Sequence, residues 1–199
     1  MAIEQLGANP TGRIGRIAGI LMNLLQTAVY TRYVDNNLPP DGSVIVDIGC
    51  GGGKFIKYLS DRYPSYRIVG IDHSDEMVQL SKRTNRRRLR LQDGQVRILQ
   101  ASVMKVPLDD NQADLATAFD TINFWPDIEK SISEVFRILK KGGKFLVMNG
   151  FPSENSRWWK IAKLKTEREY VSMLTQTGFK EAITDLNYRK GWIVATAIK

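Results

Sequence analysis

Between residues 47 and 53 the chain reads Asp47-Ile48-Gly49-Cys50-Gly51-Gly52-Gly53, a carboxylate followed by a run of glycines. Glycines let a backbone approach a ligand closely and adopt φ values that other residues avoid. Two ligand chemistries compete for such a loop. A dinucleotide fingerprint requires glycines at positions 49, 51 and 54, to seat a pyrophosphate on a helix N-terminus; position 54 is Lys. The acid at Asp47 suits a cationic amine better than a pyrophosphate. A second acid stands in Val69-Gly70-Ile71-Asp72-His73-Ser74, at the offset where nucleotide-binding folds place the carboxylate that takes ribose hydroxyls; the alternative is a helix-flanking acid. Asp120 follows a later apolar run and is read either as an acid/base or substrate-positioning group or as a turn residue. The single histidine, His73, is a weak general-base candidate. Phe119, Phe124, Trp125, Trp158 and Trp159 crowd the later part of the chain, as core residues or as the wall of a substrate cleft.

These residues need strands and helices to hold them. Val44–Ile48 is a short apolar run ending in glycines and reads as a buried strand, with a helix over Lys54–Arg62 behind it. Arg67–Ile71 is a second strand, and Ser74 is placed to cap the helix that follows. Strands are expected at Val96–Leu99, Leu115–Phe119 and Lys144–Met148. A helix through Ile128–Leu139 is expected to stop at Gly142-Gly143, and another spans Thr166–Thr177. Ile183–Tyr188 and Trp192–Ala197 then flank Arg189-Lys190-Gly191 as a hairpin. Strands alternating with helices imply a doubly wound, mostly parallel α/β sheet, closed by a C-terminal antiparallel hairpin strand.

At 199 residues and 43% hydrophobic composition, the chain is expected to form one domain. Within it, residues 1–41 form an N-terminal helical lid, 42–150 a ligand-binding core, and 151–199 a C-terminal helix and hairpin. The formal charge is +8. Lys82, Arg83, Arg86, Arg87, Arg88 and Arg90 supply most of it, and without them about +2 remains, an ordinary value for a small domain. A solvated face is the preferred reading of this stretch; RNA, an acidic substrate or an anionic membrane surface is the alternative. One cysteine excludes an internal disulfide and fits a reducing compartment, so the expected location is cytoplasmic. Residues 14–28 carry apolar positions at helical spacing but are too polar to span a bilayer. That helix is a lid, a dimerisation element or an interfacial membrane contact.

The run from Asp47 to Gly53 resembles motif I of the class I S-adenosylmethionine-dependent methyltransferases, with the small methyltransferase type 11-like members as the nearest pattern. All four fixed positions of acid-x-Gly-x-Gly-x-Gly are present: Asp47, Gly49, Gly51 and Gly53. Pro107-Leu108-Asp109-Asp110, Ala113-Asp114-Leu115 and Ile138-Leu139-Lys140-Lys141-Gly142-Gly143-Lys144 look like later parts of the same core. The resemblance covers roughly residues 42–150. It implies a Rossmann-like methyltransferase fold that binds S-adenosyl-L-methionine, releases S-adenosyl-L-homocysteine and uses no metal. It assigns Asp47, Gly49, Cys50, Gly51, Gly53 and Phe119 to the cofactor's surroundings, Asp72 to the ribose, and His73 and Met77 to the adenine. Ser102 stands where many relatives carry an acid, and Val103 would offer its backbone N–H to the ring. Tyr30, Tyr33, Asn123, Trp125 and Trp158 are weaker candidates for the acceptor's walls, and Asp120 is the one catalytic candidate. Methyl transfer asks mainly for in-line alignment. The implied activity is therefore methylation of a small-molecule acceptor. The alternatives are an RNA or protein methyltransferase using residues 82–90, and a non-catalytic cofactor-binding subunit.

Overall fold

A computed structural model describes residues 30–91, 94–151, 153–154, 157–160, 162–188 and 190–199. The expected helix over residues 14–28 lies outside them. The chain divides into two compact units, Met1–Val103 and Met104–Lys199.

In the first unit, β1 (Val44–Ile48) pairs in parallel with β2 (Arg67–Asp72), which pairs in parallel with β3 (Val96–Gln100). The β-branched run of β1 is almost wholly buried, as a parallel strand covered on both faces must be. Register sets Asp47 beside Gly70 and Asp72 beside Gln100. Helix α1 (Lys54–Arg62) turns Phe55, Ile56 and Leu59 inward. Helix α2 (Asp75–Thr84) begins at Ser74, whose hydroxyl accepts from the Met77 N–H at 3.4 Å, with Asp75 and Glu76 favourably placed in its first turn. The basic stretch forms the short helix α3 (Arg86–Arg90), none of whose residues is buried. Within it Arg88 donates to Asp61 and Gln95, each at 3.4 Å. Asp35, at the end of a helical stretch over 30–35, accepts from the hydroxyls of Tyr58 and Tyr63, and the Tyr66 hydroxyl donates to the Pro39 carbonyl at 2.6 Å.

In the second unit, β4 (Ala113–Phe119) runs parallel to β5 (Leu139–Gly150), β7 (Trp192–Ile198) runs antiparallel to β5, and β6 (Lys180–Asp185) antiparallel to β7. Helix α4 (Ile128–Ile138) is capped by Asp127. Helix α5 (Glu167–Gln176) opens on a Thr166/Glu169 capping box. Phe145 anchors the core, stacked on Trp125 and Phe179. The strands follow the order β3-β2-β1-β4-β5-β7-β6. This is the mostly parallel, helix-flanked sheet with antiparallel C-terminal strands that the element order implies.

Two local expectations need correction. Gly142 and Gly143 do not stop α4: that helix ends at Ile138, and the glycines lie inside a longer β5. Gly142 takes φ 79° there, and a Cβ on Gly143 would sit 2.8 Å from the Lys140 carbonyl oxygen. The pair builds the irregularity where the β4–β5 register shifts, a place where bulges recruit glycine. Strand β6 occupies Lys180–Asp185 rather than 183–188. The Asp185 carboxylate accepts from the Asn187 N–H at 2.7 Å, an Asx turn that takes the backbone out of the ladder.

Arg137 on α4 holds the approach to β4. Its guanidinium donates to Glu134, to Asp110 and to the Val106 carbonyl, while Glu134 accepts from the Val106 N–H at 2.7 Å. Arg137→Ala is therefore expected to destabilise the fold by about 1–3 kcal/mol, the range for charge-assisted hydrogen bonds with partly buried partners. The urea midpoint reads this directly. The Arg137 donors hold the Glu134 carboxyl below its ordinary range. Its contribution is thus present above the unfolded glutamate value and lost as pH falls through the depressed folded one. A midpoint difference that stays constant on acidification would contradict that account.

Candidate functional site

Strand β1 delivers its chain into the glycine run. Asp47 is 3% exposed, within the strand itself. The N–H groups of Gly49 and Cys50 both donate to the Ile71 carbonyl, at 2.7 and 3.0 Å. Gly49, Gly51 and Gly53 all have left-handed φ, at 76°, 50° and 74°, which side chains with a Cβ rarely adopt. The run therefore folds over the end of β2, and Asp72 stitches it there. One carboxylate oxygen of Asp72 accepts from the Gly51 N–H at 2.9 Å and the other from the Ser74 N–H at 2.9 Å. Burial pushes the Asp72 carboxyl above its ordinary range, and these N–H groups pull it back in part. The outcome is a desolvated carboxyl with a backbone donor on each of its oxygens.

His73 is exposed, with Nδ1 3.8 Å from Asp72. Its carbonyl accepts from Gln100 at 3.3 Å. Met77 is buried on the inner side of α2. The Ala101 N–H donates to the Asp72 carbonyl at 3.0 Å, so the chain leaving β3 is tied to the same strand end; Ser102 is half-buried and Val103 buried. Cys50 is a packing residue: its thiol is buried 4.0 Å from the Ser81 hydroxyl, and burial raises its pKa well above the ordinary value. Tyr30 is buried and Tyr33 half-buried.

In the second unit, Phe119 is buried at the end of β4 and Asp120 turns the chain. Asp120 adopts φ 52°, its N–H donates to the Met148 carbonyl at 2.8 Å, and its carboxylate accepts from the Gly150 N–H at 2.8 Å. A non-glycine residue in this region stores strain that its surroundings must hold. Asn123, in the turn Ile122–Phe124, accepts from the Lys163 N–H at 3.2 Å. The Lys163 ammonium donates to the Trp125 carbonyl. Trp125 itself is 4% exposed and stacked on Phe145, which makes it a core ring rather than a cleft wall. Trp158 falls in the turn Arg157–Lys160, and its side chain lies outside the description.

Several polar residues here have no counterpart among the sequence candidates. Asn149, fully buried on β5, donates to the Tyr170 hydroxyl of α5 at 3.0 Å. Ser81 and Asn85 are buried beneath the glycine run. The only sequence signal for the latter pair is two polar residues four apart on the buried side of a helix. Among the described residues, no group of three or more His, Cys, Asp or Glu could hold a metal ion.

Residues 46–147 match the methyltransferase domain family, and the chain belongs to it. A demethylmenaquinone methyltransferase from Thermus thermophilus is 33% identical over 122 residues, 61% of this chain and 53% of that protein. A 2-phytyl-1,4-naphtoquinone methyltransferase from Nostoc punctiforme is 26% identical over 141 residues, 70% of this chain and 60% of its own length. The chain thus spans somewhat more than half the length of these relatives. A solved S-adenosylmethionine-dependent methyltransferase from Aquifex aeolicus superposes with a TM-score of 0.71 at 19% identity, covering 89% of this chain and 91% of that one. That likeness shows the shared fold.

Proposed function

We propose that this chain is an S-adenosylmethionine-dependent methyltransferase that acts on a small-molecule acceptor by in-line displacement. The observation that carries the reading is the Asp72 stitch: a glycine run in left-handed backbone bound at 2.9 Å to the acid ending the next strand. A carboxylate has about four acceptor positions. With Gly51 and Ser74 as two donors, capacity remains for the hydroxyls of a ribose. Asp47 and the glycine backbone suit the amino-acid end, and Ser102 and the Val103 N–H suit the adenine. When bound, S-adenosylmethionine supplies an electrophilic methyl on a sulfonium that is already a good leaving group. The chain's own task is then to hold the ligands and exclude water. We assign Asp120 to positioning the acceptor, because a strained, backbone-held carboxylate at the carboxyl end of β4 lies where open α/β sheets bind ligands.

The family match crosses residue 103, which supports both units working as one methyltransferase domain. A small acceptor is favoured because the Thermus and Nostoc relatives are named for demethylmenaquinone and 2-phytyl-1,4-naphtoquinone. Among the described residues no helix is long and apolar enough to cross a membrane. Calorimetry with S-adenosylmethionine, S-adenosylhomocysteine, NAD and NADP tests the cofactor. The two sulfur ligands are expected to bind and the dinucleotides to give no heat. Tight binding of a dinucleotide alone would overturn the reading.

A further inference from the structure

We propose, building on the cofactor reading above, that Asn85 is a positioning residue for the cofactor loop. From the end of α2 it clamps the Gly53 carbonyl and so holds the glycine run in its ligand-binding form. Asn85 is 2% exposed. Its Nδ2 donates to two carbonyl oxygens, those of Gly53 and Ser81, each at 2.9 Å. Both partners are pure acceptors, so the orientation of the amide follows from the contacts. The Gly53 oxygen also accepts from the Lys57 N–H at 3.0 Å, and the Gly53 N–H donates to the Cys50 carbonyl at 3.0 Å. Gly53 is the N-cap of α1 and has no side-chain cap of its own. The last residue of the glycine run is therefore held on both sides, and the Asn85 side chain that holds it comes from another helix.

Two further observations separate this from ordinary packing. The Asn85 Oδ1 is buried and has no hydrogen-bond partner among the described residues. A buried acceptor without a donor is a net cost to folding that an apolar residue of similar size avoids. What Asn85 uniquely supplies is the donor pair. The fit around Gly53 is also close: a Cβ there would meet the Ser81 Oγ at 2.1 Å and the Asn85 Nδ2 at 2.6 Å. Any shift of α2 is thus felt at the backbone of position 53. Asn85 itself is too deeply buried to touch a ligand, and it acts through Gly53.

Calorimetric titration of the full chain with S-adenosylhomocysteine, at a temperature where each variant is folded, tests this. Asn85→Ala is expected to raise the Kd about tenfold, equivalent to ~1.4 kcal/mol. Ser81→Ala disturbs the same interface without removing the clamp, and should stay within about twofold of the parent. Hydrogen exchange at residues 49–53 should be faster in Asn85→Ala and unchanged in Ser81→Ala. Asn85→Leu keeps roughly the size of the side chain, loses the donor pair and buries no unpaired polar atom, so it serves if the alanine variant does not fold, with the same expected loss. Parent-like affinity in a folded Asn85 variant overturns the proposal, whatever its melting temperature, because a purely structural staple moves only stability. Failure of the parent chain to bind S-adenosylhomocysteine overturns the functional reading itself, and this inference with it.

Discussion

Asp72→Ala is expected to weaken S-adenosylhomocysteine binding by about 1–3 kcal/mol, roughly five- to 150-fold, the range for losing a charge-assisted hydrogen bond. The same change leaves the N–H groups of Gly51 and Ser74 without their acceptor. The Ser74 N–H is buried and costs about 1–3 kcal/mol of stability when unpaired, and the partly buried Gly51 N–H costs less. The variant should therefore melt earlier as well as bind less. Asp72→Asn separates the two effects. Its amide oxygen still accepts from one N–H, so it recovers part of the stability while lacking the charge that strengthens contact to a ribose. Calorimetry below each melting transition, with urea unfolding alongside, decides it. Parent-like affinity in folded Asp72→Ala would show that the ribose is held elsewhere.

The pH dependence of this site has a definite direction. Burial raises the Asp72 carboxyl above its ordinary value, so the unliganded fold favours the protonated form relative to the unfolded chain. The stability this contributes is complete below the unfolded value and is lost as pH rises through the folded one. A ligand that donates hydroxyl protons to the carboxylate favours the ionised form. Affinity should accordingly rise with pH through the same interval, opposite in sense to the stability of the free protein. Affinity that strengthens on acidification through that interval would contradict ribose binding by this group.

The backbone of the first unit could be read from the chain because each signal there is local. The β-branched run before the glycines, the Ser74 cap and the apolar face of α1 all act within a few residues. The two misread places depend on distant partners. Gly142 and Gly143 look like a helix stop, but their conformation answers to the Ala113 carbonyl and to Lys199, whose backbone exchanges hydrogen bonds with both glycines. The end of β6 depends on a side chain turning back on its own backbone at Asp185. The candidate site divides in the same way. Spacing pointed to Asp72 for a ligand, but not to its hold on Gly51, which follows from β1 and β2 lying side by side. Trp125 read as a possible wall because it follows the end of β4 in a cluster of rings, and only the fold brings Phe145 beneath it. Ser81 and Asn85 gave almost no signal, since Asn85 holds a backbone carbonyl and Ser81 meets a thiol, each some thirty residues earlier.

Gly53→Ala is expected to cost about 2–5 kcal/mol of stability, a large part of the ~5–15 kcal/mol that holds a typical domain together. Two penalties add at this position. The φ of 74° strains any residue with a Cβ by about 1–2 kcal/mol. The new Cβ would also lie 2.1 Å from the Ser81 Oγ and 2.9 Å from its Cβ, and overpacking of this kind costs about 1–3 kcal/mol. Gly42→Ala isolates the first penalty. Gly42 has a similar φ of 83°, and a Cβ there meets nothing within 4 Å. Its loss should stay at about 1–2 kcal/mol. Urea midpoints of the two variants, measured side by side, give the difference. If Gly53→Ala costs no more than Gly42→Ala, then α2 yields freely, and close packing beneath the glycine run is not what position 53 requires. A gap of two or more kcal/mol would mean that this glycine serves the fit of α2 against the loop as well as the loop's own backbone.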